Sequence, residues 1–212
     1  MRLRSIPGIE EKIKNEFPRI VFFEEEELRD FWPTYFGSLE GITLEIGMGR
    51  GQFLNEMRLR EPKKKFVAVE MRNEMIYPAA RKFGDDCQNV AVISGRADYL
   101  SRWFQKESVE RIFLNFSDPW PKRAHRKRRL SHENYLKLYR DILIPGGDIF
   151  FRTDVASLME FTLTEMSRCG FSLIDVSLDF HHSKYFDGIT TEYEDKKCKD
   201  GPIYYAHFIL PK

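Results

Sequence analysis

The chain has 212 residues, which is enough for one α/β domain with a full hydrophobic core but too few for two independent domains. Its 34 Lys and Arg nearly balance its 33 Asp and Glu, so net charge alone indicates no polyanionic partner. Cys87, Cys169 and Cys198 form no C-x-x-C pair, which argues against a disulfide framework or a zinc site and favours a reducing cytoplasm. The first residues lack the apolar core of a signal peptide, and no run approaches the roughly 18 apolar residues that span a bilayer, so no membrane association is expected.

Residues 1–38 are predicted to be an N-terminal extension packed on or near the main domain, which is expected to cover residues 39–212. Pro7-Gly8 and Pro18 interrupt any periodicity there. The acidic block from Glu24 to Glu27 is interpreted as a solvent-exposed face, which is the usual role of a charge run.

From Ile42 onward, short β-rich apolar runs alternate with amphipathic stretches, a pattern typical of βαβ units and a mostly parallel sheet. Seven strands are predicted near 42–46, 66–69, 90–94, 111–116, 148–153, 171–177 and 203–210. Helices are predicted near 52–60, 73–83, 132–142 and 156–169. Gly146-Gly147 and Gly170 stand where helix ends are expected.

The last two predicted strands are separated by a loop of about 20 residues, from Asp179 to Gly201, a length usually associated with function or disorder. The sequence therefore predicts a seven-stranded, mostly parallel α/β sheet with an antiparallel last strand and helices on both faces. This is the Rossmann-like architecture of class I methyltransferases. His181-His182 in this loop lack a third ligand at a useful spacing, so they are interpreted as ordinary loop residues and no metal is expected.

A glycine-rich turn follows the first predicted strand and opens a helix, in the sequence Leu44-Glu45-Ile46-Gly47-Met48-Gly49-Arg50-Gly51. Glycines allow a tight turn and close approach of a ligand, and a helix N-terminus offers unpaired N–H groups. The spacing differs from the G-x-G-x-x-G of dinucleotide-binding proteins. It favours S-adenosylmethionine over NAD, with Gly47 and Gly49 beside the ligand and Glu45 serving its ammonium group. A turn kept only for packing is the alternative.

Two further strand ends extend this predicted pocket. Glu70 ends the second predicted strand, 19 residues after Gly51, where a carboxylate can accept both ribose hydroxyls. The third strand runs into Arg96 and Ala97, where an adenine edge would lie against main chain and a short side chain. Asp98, taken alone, is more often a helix cap.

The fourth predicted strand leads into Ser117-Asp118-Pro119-Trp120-Pro121-Lys122. Two prolines that flank an aromatic residue restrict the backbone, so Asp118 and Trp120 are expected to face the cofactor crevice. The segment is similar to the D/N-P-P-Y/W turn of amino-methyltransferases, in which polar groups hold a planar nitrogen acceptor. A rigid connecting turn without a catalytic role is the alternative.

A basic segment follows directly, with six positive charges in eight residues and His125 among them. These residues are Lys122, Arg123, Arg126, Lys127, Arg128 and Arg129. A charge run is usually a solvated face, but one beside a predicted active site indicates phosphate contacts with a nucleic acid.

Over nearly its whole length the chain closely resembles the bacterial tRNA (guanine-N7)-methyltransferase family. The glycine turn is shared by many methyltransferases, whereas the Asp118-Pro119-Trp120-Pro121-Lys122 turn with its basic tail and Thr191-Glu192-Tyr193-Glu194 are specific to that family. The resemblance implies methyl transfer from S-adenosylmethionine to N7 of guanine 46 in the variable loop of tRNA, by a cytoplasmic monomer or homodimer.

The resemblance also implies roles for individual residues. Cofactor contacts are implied at Glu45, Glu70 and Asp118, of which Asp118 is also the expected catalytic residue. Asn115, near the end of the fourth predicted strand, is a further predicted cofactor contact. Guanine or tRNA contacts are implied at Lys122, Asp154, Thr191, Glu192, Tyr193 and Glu194, and Trp120 or Tyr193 is a candidate to stack on the base. The chain departs from the family at Arg96, where an Asp or Asn next to Ala97 commonly meets the cofactor base. Either the Ala97 backbone or Asp98 is expected to take that role.

Three alternative functions stay open at this point. They are an exocyclic-amine methyltransferase acting on DNA or protein, a methyltransferase-like fold that only binds RNA, and a nicotinamide dehydrogenase. The intact glycine turn with Glu70 and Asp118 disfavours the second, and the glycine spacing disfavours the third.

Overall fold

Residues 6–38, 41–197 and 201–212 are described by the computed structural model, and within them eight strands form one sheet. The strands are β1 (Val21–Phe23), β2 (Ile42–Ile46), β3 (Lys65–Glu70), β4 (Val90–Ser94), β5 (Val109–Asn115), β6 (Leu143–Thr153), β7 (Ser172–Ser177) and β8 (Tyr204–Ile209). The helices are α1 (Ile9–Glu16), α2 (Trp32–Phe36), α3 (Gln52–Arg60), α4 (Asn73–Phe83), α5 (Leu100–Trp103), α6 (Glu133–Ile142), α7 (Ala156–Arg168) and α8 (Glu192–Lys197). The predicted domain start at residue 39 and Cys198 lie outside the described residues.

The strand order across the sheet is β1-β4-β3-β2-β5-β6-β8-β7. β8 lies antiparallel between β6 and β7, and the other neighbouring pairs are parallel. The predicted Rossmann-like α/β fold with an antiparallel last strand is therefore confirmed, although the sheet has one strand more than the seven predicted.

Two apolar clusters cover the opposite faces of the sheet, because successive side chains of a strand point to opposite sides. In β3, Val67 and Val69 join the cluster that contains α6 and α7, whereas Phe66 and Ala68 join the cluster that contains α3 and α4. The sheet is therefore covered by apolar packing on both faces.

The additional strand comes from the segment that was expected to be an extension. Its residues supply α1, β1 and α2, and β1 pairs in parallel with β4, with Phe23 opposite Ser94. The run Val21-Phe22-Phe23 is too short for the alternation of a strand to be visible before the acidic block begins.

Of the two glycine sites predicted to mark helix ends, one differs from the prediction and one agrees with it. Gly146 and Gly147 do not end a helix, because α6 ends at Ile142 and both glycines lie inside β6. A Cβ on Gly147 would meet the Ile144 carbonyl oxygen at 2.9 Å, so the strand needs glycine there for close packing of its own backbone. Gly170 directly follows the last residues of α7 with φ of 79°, as predicted for a helix end.

Candidate active site

The carboxyl ends of five parallel strands meet at one edge of the sheet, where ligands of open α/β sheets bind. β2 ends at Ile46, β3 at Glu70, β4 at Ser94, β5 at Asn115 and β6 at Thr153. The loops that carry the predicted site residues leave the sheet at these positions, so the fold brings them to one side of the molecule.

The glycine turn after β2 has open space on one side. Gly47 and Gly49 have φ of 81° and 56°, and a Cβ added at either would meet no atom within 4 Å. At Gly51 an added Cβ would come within 2.7 Å of the Phe83 ring, so that glycine allows α3 to pack on α4. Gly47 and Gly49 are therefore the two glycines whose backbone a ligand can approach.

Glu70 ties the end of β3 to this turn. Its carboxylate accepts hydrogen bonds from the Gly49 N–H at 3.1 Å and from the Arg72 N–H at 3.0 Å. Burial raises the pKa of Glu70, and the backbone N–H groups of Arg72 and Gly49 oppose that rise by favouring the charged form. The acid predicted for the ribose thus lies beside the glycine turn.

Glu45 is 1% exposed and accepts a hydrogen bond from the Asn115 side-chain amide at 3.0 Å. Burial raises its pKa to about 7, and the hydrogen bond from Asn115 and the charge of Arg152 oppose that rise. In the described part of the chain, Glu45 Oε2 and Asn115 Oδ1 have no hydrogen-bond partner. Buried polar atoms without partners are costly, so these two fit a site that a polar ligand group completes. Together with the open glycine turn and Glu70, they fit a nucleoside cofactor that carries an amino group.

The turn after β5 has an unusual backbone. Phe116 and Trp120 have φ of 51° and 40°, a left-handed region that residues other than glycine seldom adopt and that often marks functional sites. Between them, Asp118 is exposed and forms no hydrogen bond or ion pair with any described residue. The Asp118 carboxylate is therefore accessible to a substrate.

The Arg129 side chain stabilises this turn through hydrogen bonds to its backbone. Its guanidinium donates to the Pro119 carbonyl at 2.9 Å and to the Trp120 carbonyl at 3.1 Å, and lies 4.5 Å from the centre of the Phe161 ring. Arg128 lies 4.9 Å above the Trp120 ring. The remaining predicted tRNA contacts of the basic segment are exposed side chains, namely Lys122, Arg123, Arg126 and Lys127. The structure thus separates one arginine that supports the turn from the residues that face solvent.

Three residues from separate elements converge beside the turn. The Tyr193 hydroxyl donates to Asp154 Oδ2 at 2.8 Å, and the Tyr193 ring centre lies 4.9 Å from that of Phe116. Tyr193 is 41% exposed. The predicted substrate residues Asp154 and Tyr193 therefore lie together, next to the first residue of the turn that carries Asp118.

Glu194 faces the protein interior and is fully buried. Its carboxylate accepts from the Thr191 N–H at 2.7 Å while the Thr191 hydroxyl accepts from the Glu194 N–H at 3.0 Å, which is the reciprocal capping box at the start of a helix. Arg152 Nη1 lies 3.7 Å from Glu194 Oε2, and His181 Nε2 lies 3.2 Å from Glu194 Oε1. Burial lowers the pKa of Arg152, and the charges of Glu194 and Asp187 oppose that shift. The contact of Glu194 and Thr191 with guanine stays a prediction, while in this structure they order the start of α8.

Residues that the sequence analysis did not single out form hydrogen bonds and an ion pair between α8 and the region of the glycine turn. Lys82 Nζ lies 3.1 Å from Glu192 Oε1 and donates to the Arg50 carbonyl at 3.0 Å. Gln52 donates to Asp195 at 2.7 Å. The predicted substrate segment is thus bonded to the glycine turn and to α4, through ordinary helix-surface residues that carry no motif.

The turn after β4 differs from expectation at Asp98. Asp98 accepts no helix-capping bond and instead pairs with the Arg96 side chain, with 3.1 Å between Oδ2 and Nε. The interpretation of Asp98 as a helix cap is therefore wrong. Ala97 is 7% exposed at the start of a short 3₁₀ segment.

The described ranges contain no cluster of three or more His, Cys, Asp or Glu side chains that could hold a metal ion. Nor do they contain a helix long and apolar enough to cross a membrane.

A Rossmann-like sheet with an open glycine turn, an acid at the end of the next strand and a polar turn after β5 defines a class I methyltransferase. The family model described as "Putative methyltransferase" matches residues 40–206. The tRNA (guanine-N(7)-)-methyltransferase of Lysinibacillus sphaericus (strain C3-41) is 40% identical over 207 residues, which cover 96% of this chain and 95% of that protein. The chain belongs to the tRNA (guanine-N7)-methyltransferase family.

Solved structures of other methyltransferases share the fold. The 16S rRNA methyltransferase KamB matches with a TM-score of 0.66 and 15% identity, over 92% of this chain and 99% of KamB. A variant of the 16S rRNA (adenine(1408)-N(1))-methyltransferase of Catenulisporales acidiphilia, solved with its cosubstrate SAM, matches with a TM-score of 0.60 and 13% identity, over 86% and 91% of the two chains. At these identities the likeness establishes the fold alone.

Proposed function

We propose that this protein acts in the cytoplasm, where it transfers a methyl group from S-adenosylmethionine to N7 of guanine 46 in the variable loop of tRNA. The observation that carries the proposal is the 40% identity, over nearly the full length of both chains, with a protein named for methylation of tRNA at guanine N7. The geometry supports it, because one edge of the sheet presents a cofactor-type glycine turn, exposed acids and a basic segment.

Gly47, Gly49, Glu70 and the Glu45–Asn115 pair are the residues that would hold the cofactor. Bound S-adenosylmethionine supplies a methyl group activated by a positively charged sulfur. Glu70 would accept the ribose hydroxyls, and the buried Glu45 Oε2, which lacks a partner among the described residues, would accept from the cofactor's amino group. Arg96 and Ala97 would border the adenine.

Guanine N7 carries a lone pair and no proton, so its methylation requires no general base. The protein has to orient the base and stabilise the positive charge that develops on the purine. Asp118 and Asp154 are the carboxylates best placed for this, because Asp118 is exposed at the turn and Tyr193 holds Asp154 beside it. A carboxylate that accepts from guanine N1–H and N2–H₂ also discriminates against adenine, which has no such pair of donors.

The exposed part of the basic segment would bind the tRNA backbone. Lys122, Arg123, Arg126 and Lys127 can each neutralise a phosphate without loss of a contact inside the protein. Because N7 takes part in tertiary contacts of folded tRNA, the variable region has to loosen before the base can enter. Trp120, whose carbonyl accepts a hydrogen bond from Arg129, would stack on the exposed base.

The test is incubation with bulk tRNA and methyl-labelled cofactor, followed by mass spectrometry of the nucleosides. We expect 7-methylguanosine in tRNA and no label in DNA or protein. A tRNA with adenine in place of guanine 46 is the matched control and should stay unlabelled. Label found only as 1-methyl- or N2-methylguanosine, or only on DNA or protein, would refute the proposal. Sedimentation of the same protein decides between monomer and homodimer, which stays a prediction.

A further inference from the structure

We propose that Glu24 is the acidic residue at the adenine end of the cofactor pocket. It would hold the turn after β4 and offer an acceptor to the exocyclic amino group of adenine. The assignment rests on the proposed function, because it takes S-adenosylmethionine as the ligand at this edge. The turn after β4 contains Arg96, which has no carboxylate, and we infer that the acid at this turn comes from the neighbouring strand.

The sheet places Glu24 at the correct edge. β1 is parallel to β4 with Phe23 opposite Ser94, and β3 is parallel to β4 with Glu70 opposite the same Ser94. Glu24 therefore leaves the sheet at the same edge as Glu70. Across the sheet the strands run β2-β3-β4-β1. The glycine turn follows β2, and Glu70, the acid proposed for the ribose, ends β3. The turn after β4 comes next, and Glu24 follows β1 on the other side of that turn.

Glu24 contacts the turn directly. Its Oε2 accepts a hydrogen bond from the Arg96 N–H at 2.8 Å. Its Cβ lies 3.1 Å from the place where a Cβ on Gly95 would stand, while the Trp103 ring lies 2.8 Å from that place. A larger residue at position 95 would displace one of these groups, so the glycine allows Glu24 to reach the turn.

Arg96 contacts Glu24 through its backbone N–H, whereas its side chain contacts Asp98. Its side chain is 59% exposed and its guanidinium pairs with Asp98. Asp98 also lies 3.4 Å from the Tyr135 hydroxyl, so the carboxylate of Asp98 is engaged on the α6 side. Glu24 Oε1, in contrast, forms no hydrogen bond within the described ranges, which leaves it available as an acceptor.

The segment that carries Glu24 is fixed along its length to the chain that follows β4. Arg102 Nε lies 2.9 Å from Glu27 Oε1, Arg29 Nε donates to the Ser101 carbonyl at 3.0 Å, and Gln105 donates to Asp30 at 2.7 Å. The interpretation of the acidic block as a solvated face is thus only partly right. Because the segment is anchored before any ligand binds, little ordering cost remains for Glu24 at the moment of binding.

The chemistry of adenine distinguishes a direct contact from a purely structural role. The adenine amino group donates hydrogen bonds, whereas hypoxanthine carries at the same position a carbonyl oxygen, which only accepts. A carboxylate beside that position favours adenine, and its removal reduces the preference. A residue that only stabilises the β4 turn would affect both bases alike.

The experiment is calorimetric titration with S-adenosylhomocysteine and with S-inosylhomocysteine, in which the amino group is replaced by oxygen. For Glu24→Ala we expect affinity for S-adenosylhomocysteine to fall about 10- to 100-fold, the range for a hydrogen bond to a charged group. Affinity for S-inosylhomocysteine should fall less, only by the part that comes from holding the turn, so the preference for adenine over hypoxanthine is reduced. Glu24→Gln, which keeps an acceptor oxygen, should lose less than Glu24→Ala.

Three controls make the result decisive. Glu25→Ala changes the neighbouring exposed acid and should bind both ligands like the parent. Glu70→Ala removes the ribose acid and should weaken both ligands by the same factor. Thermal unfolding without ligand shows whether Glu24→Ala folds, and Glu24→Gln carries the test if it does not.

An equal loss of affinity for both ligands, or no loss for either, overturns the assignment. If the parent binds neither ligand, the proposed function fails and the assignment fails with it.

Discussion

Tyr193 donates a hydrogen bond of 2.8 Å from its hydroxyl to Asp154 Oδ2 and thereby joins α8 to the end of β6. The same ring lies against Phe116, the residue that begins the turn with Asp118. The position of the Asp154 carboxylate therefore depends on a helix from the long loop before β8. If the proposed reaction takes place here, we expect this loop to form part of the guanine site.

Tyr193→Phe removes that hydrogen bond and keeps the ring on Phe116. We expect kcat/KM for tRNA to fall about 10-fold, because the bond orients a charged acceptor. Affinity for S-adenosylhomocysteine should not change. Tyr77→Phe is the matched control, since the Tyr77 hydroxyl donates to Glu16 at 2.9 Å on the outside of α4. Equal activity of the two variants would show that Asp154 needs no orientation by Tyr193.

The elements around the cofactor could be predicted closely because local signals define them. α3 and α4 have the predicted bounds, since glycine turns and helical periodicity mark both. The strand β1 could not be predicted, because three apolar residues carry no periodicity and their partner β4 lies about 70 residues further along the chain.

The sequence predicted which residue types form the site, but not whether each side chain faces the protein interior or the open edge of the sheet. Glu194 and Asp154 are both carboxylates near the predicted site, yet Glu194 is buried against Arg152 whereas Asp154 lies at the open edge. The pattern Thr191-x-x-Glu194 before a helix is a capping box, and it was the local signal that could have indicated the inward direction. Arg129 gives no such signal, because only tertiary packing brings it under the Trp120 carbonyl.

Arg129→Gln should separate support of the turn from tRNA binding. It removes the bonds to the Pro119 and Trp120 carbonyls, so the turn loosens and we expect kcat to fall about 10-fold. The slope of log K for tRNA against log salt should stay unchanged, because the Arg129 guanidinium is engaged inside the protein. Filter binding at several salt concentrations measures the slope.

The comparison is the double variant Arg126→Ala with Lys127→Ala, two exposed cations of the same segment. Its salt slope should decrease by about 1 to 2, with kcat at saturating tRNA unchanged, if each side chain neutralises one phosphate. A reversed pattern, with the slope altered by Arg129→Gln and not by the double variant, would show that the tRNA contacts have been assigned to the wrong residues.

Glu45 should make the stability of the protein depend on pH. Its pKa rises from 4.5 to about 7 on folding because the carboxyl is buried. The folded state therefore binds the proton more tightly, and the stability from Glu45 is present below about pH 4.5 and is lost as pH rises through about 7. Relative to Glu45→Gln, the parent should lose about 3 kcal/mol of unfolding free energy across that interval, at 1.36 kcal/mol per pKa unit. Urea unfolding at a series of pH values measures the difference.

Glu56→Gln, an exposed acid on α3, is the control and should track the parent at every pH. Cofactor binding provides a second readout, because an ammonium group beside Glu45 favours the charged carboxylate. We expect S-adenosylhomocysteine binding just below pH 7 to release a proton in the parent and not in Glu45→Gln. A constant difference in stability between the parent and Glu45→Gln would mean that Glu45 does not titrate in this range.

Asp118→Asn tests the charge of the exposed carboxylate at the turn after β5. The amide keeps the shape and one acceptor oxygen but removes the negative charge that would oppose the positive charge of the developing purine. We expect kcat to fall about 100-fold, by analogy with the loss of one preorganised group that stabilises a transition state. Single-turnover rates at saturating tRNA measure this, with Asp141→Asn, an exposed acid on α6, as the control. Because guanine N7 needs no deprotonation, the rate of the parent should also show no essential base near neutral pH. Near-normal turnover in Asp118→Asn, together with a parental rate that rises tenfold per pH unit through neutrality, would replace charge stabilisation with general-base catalysis.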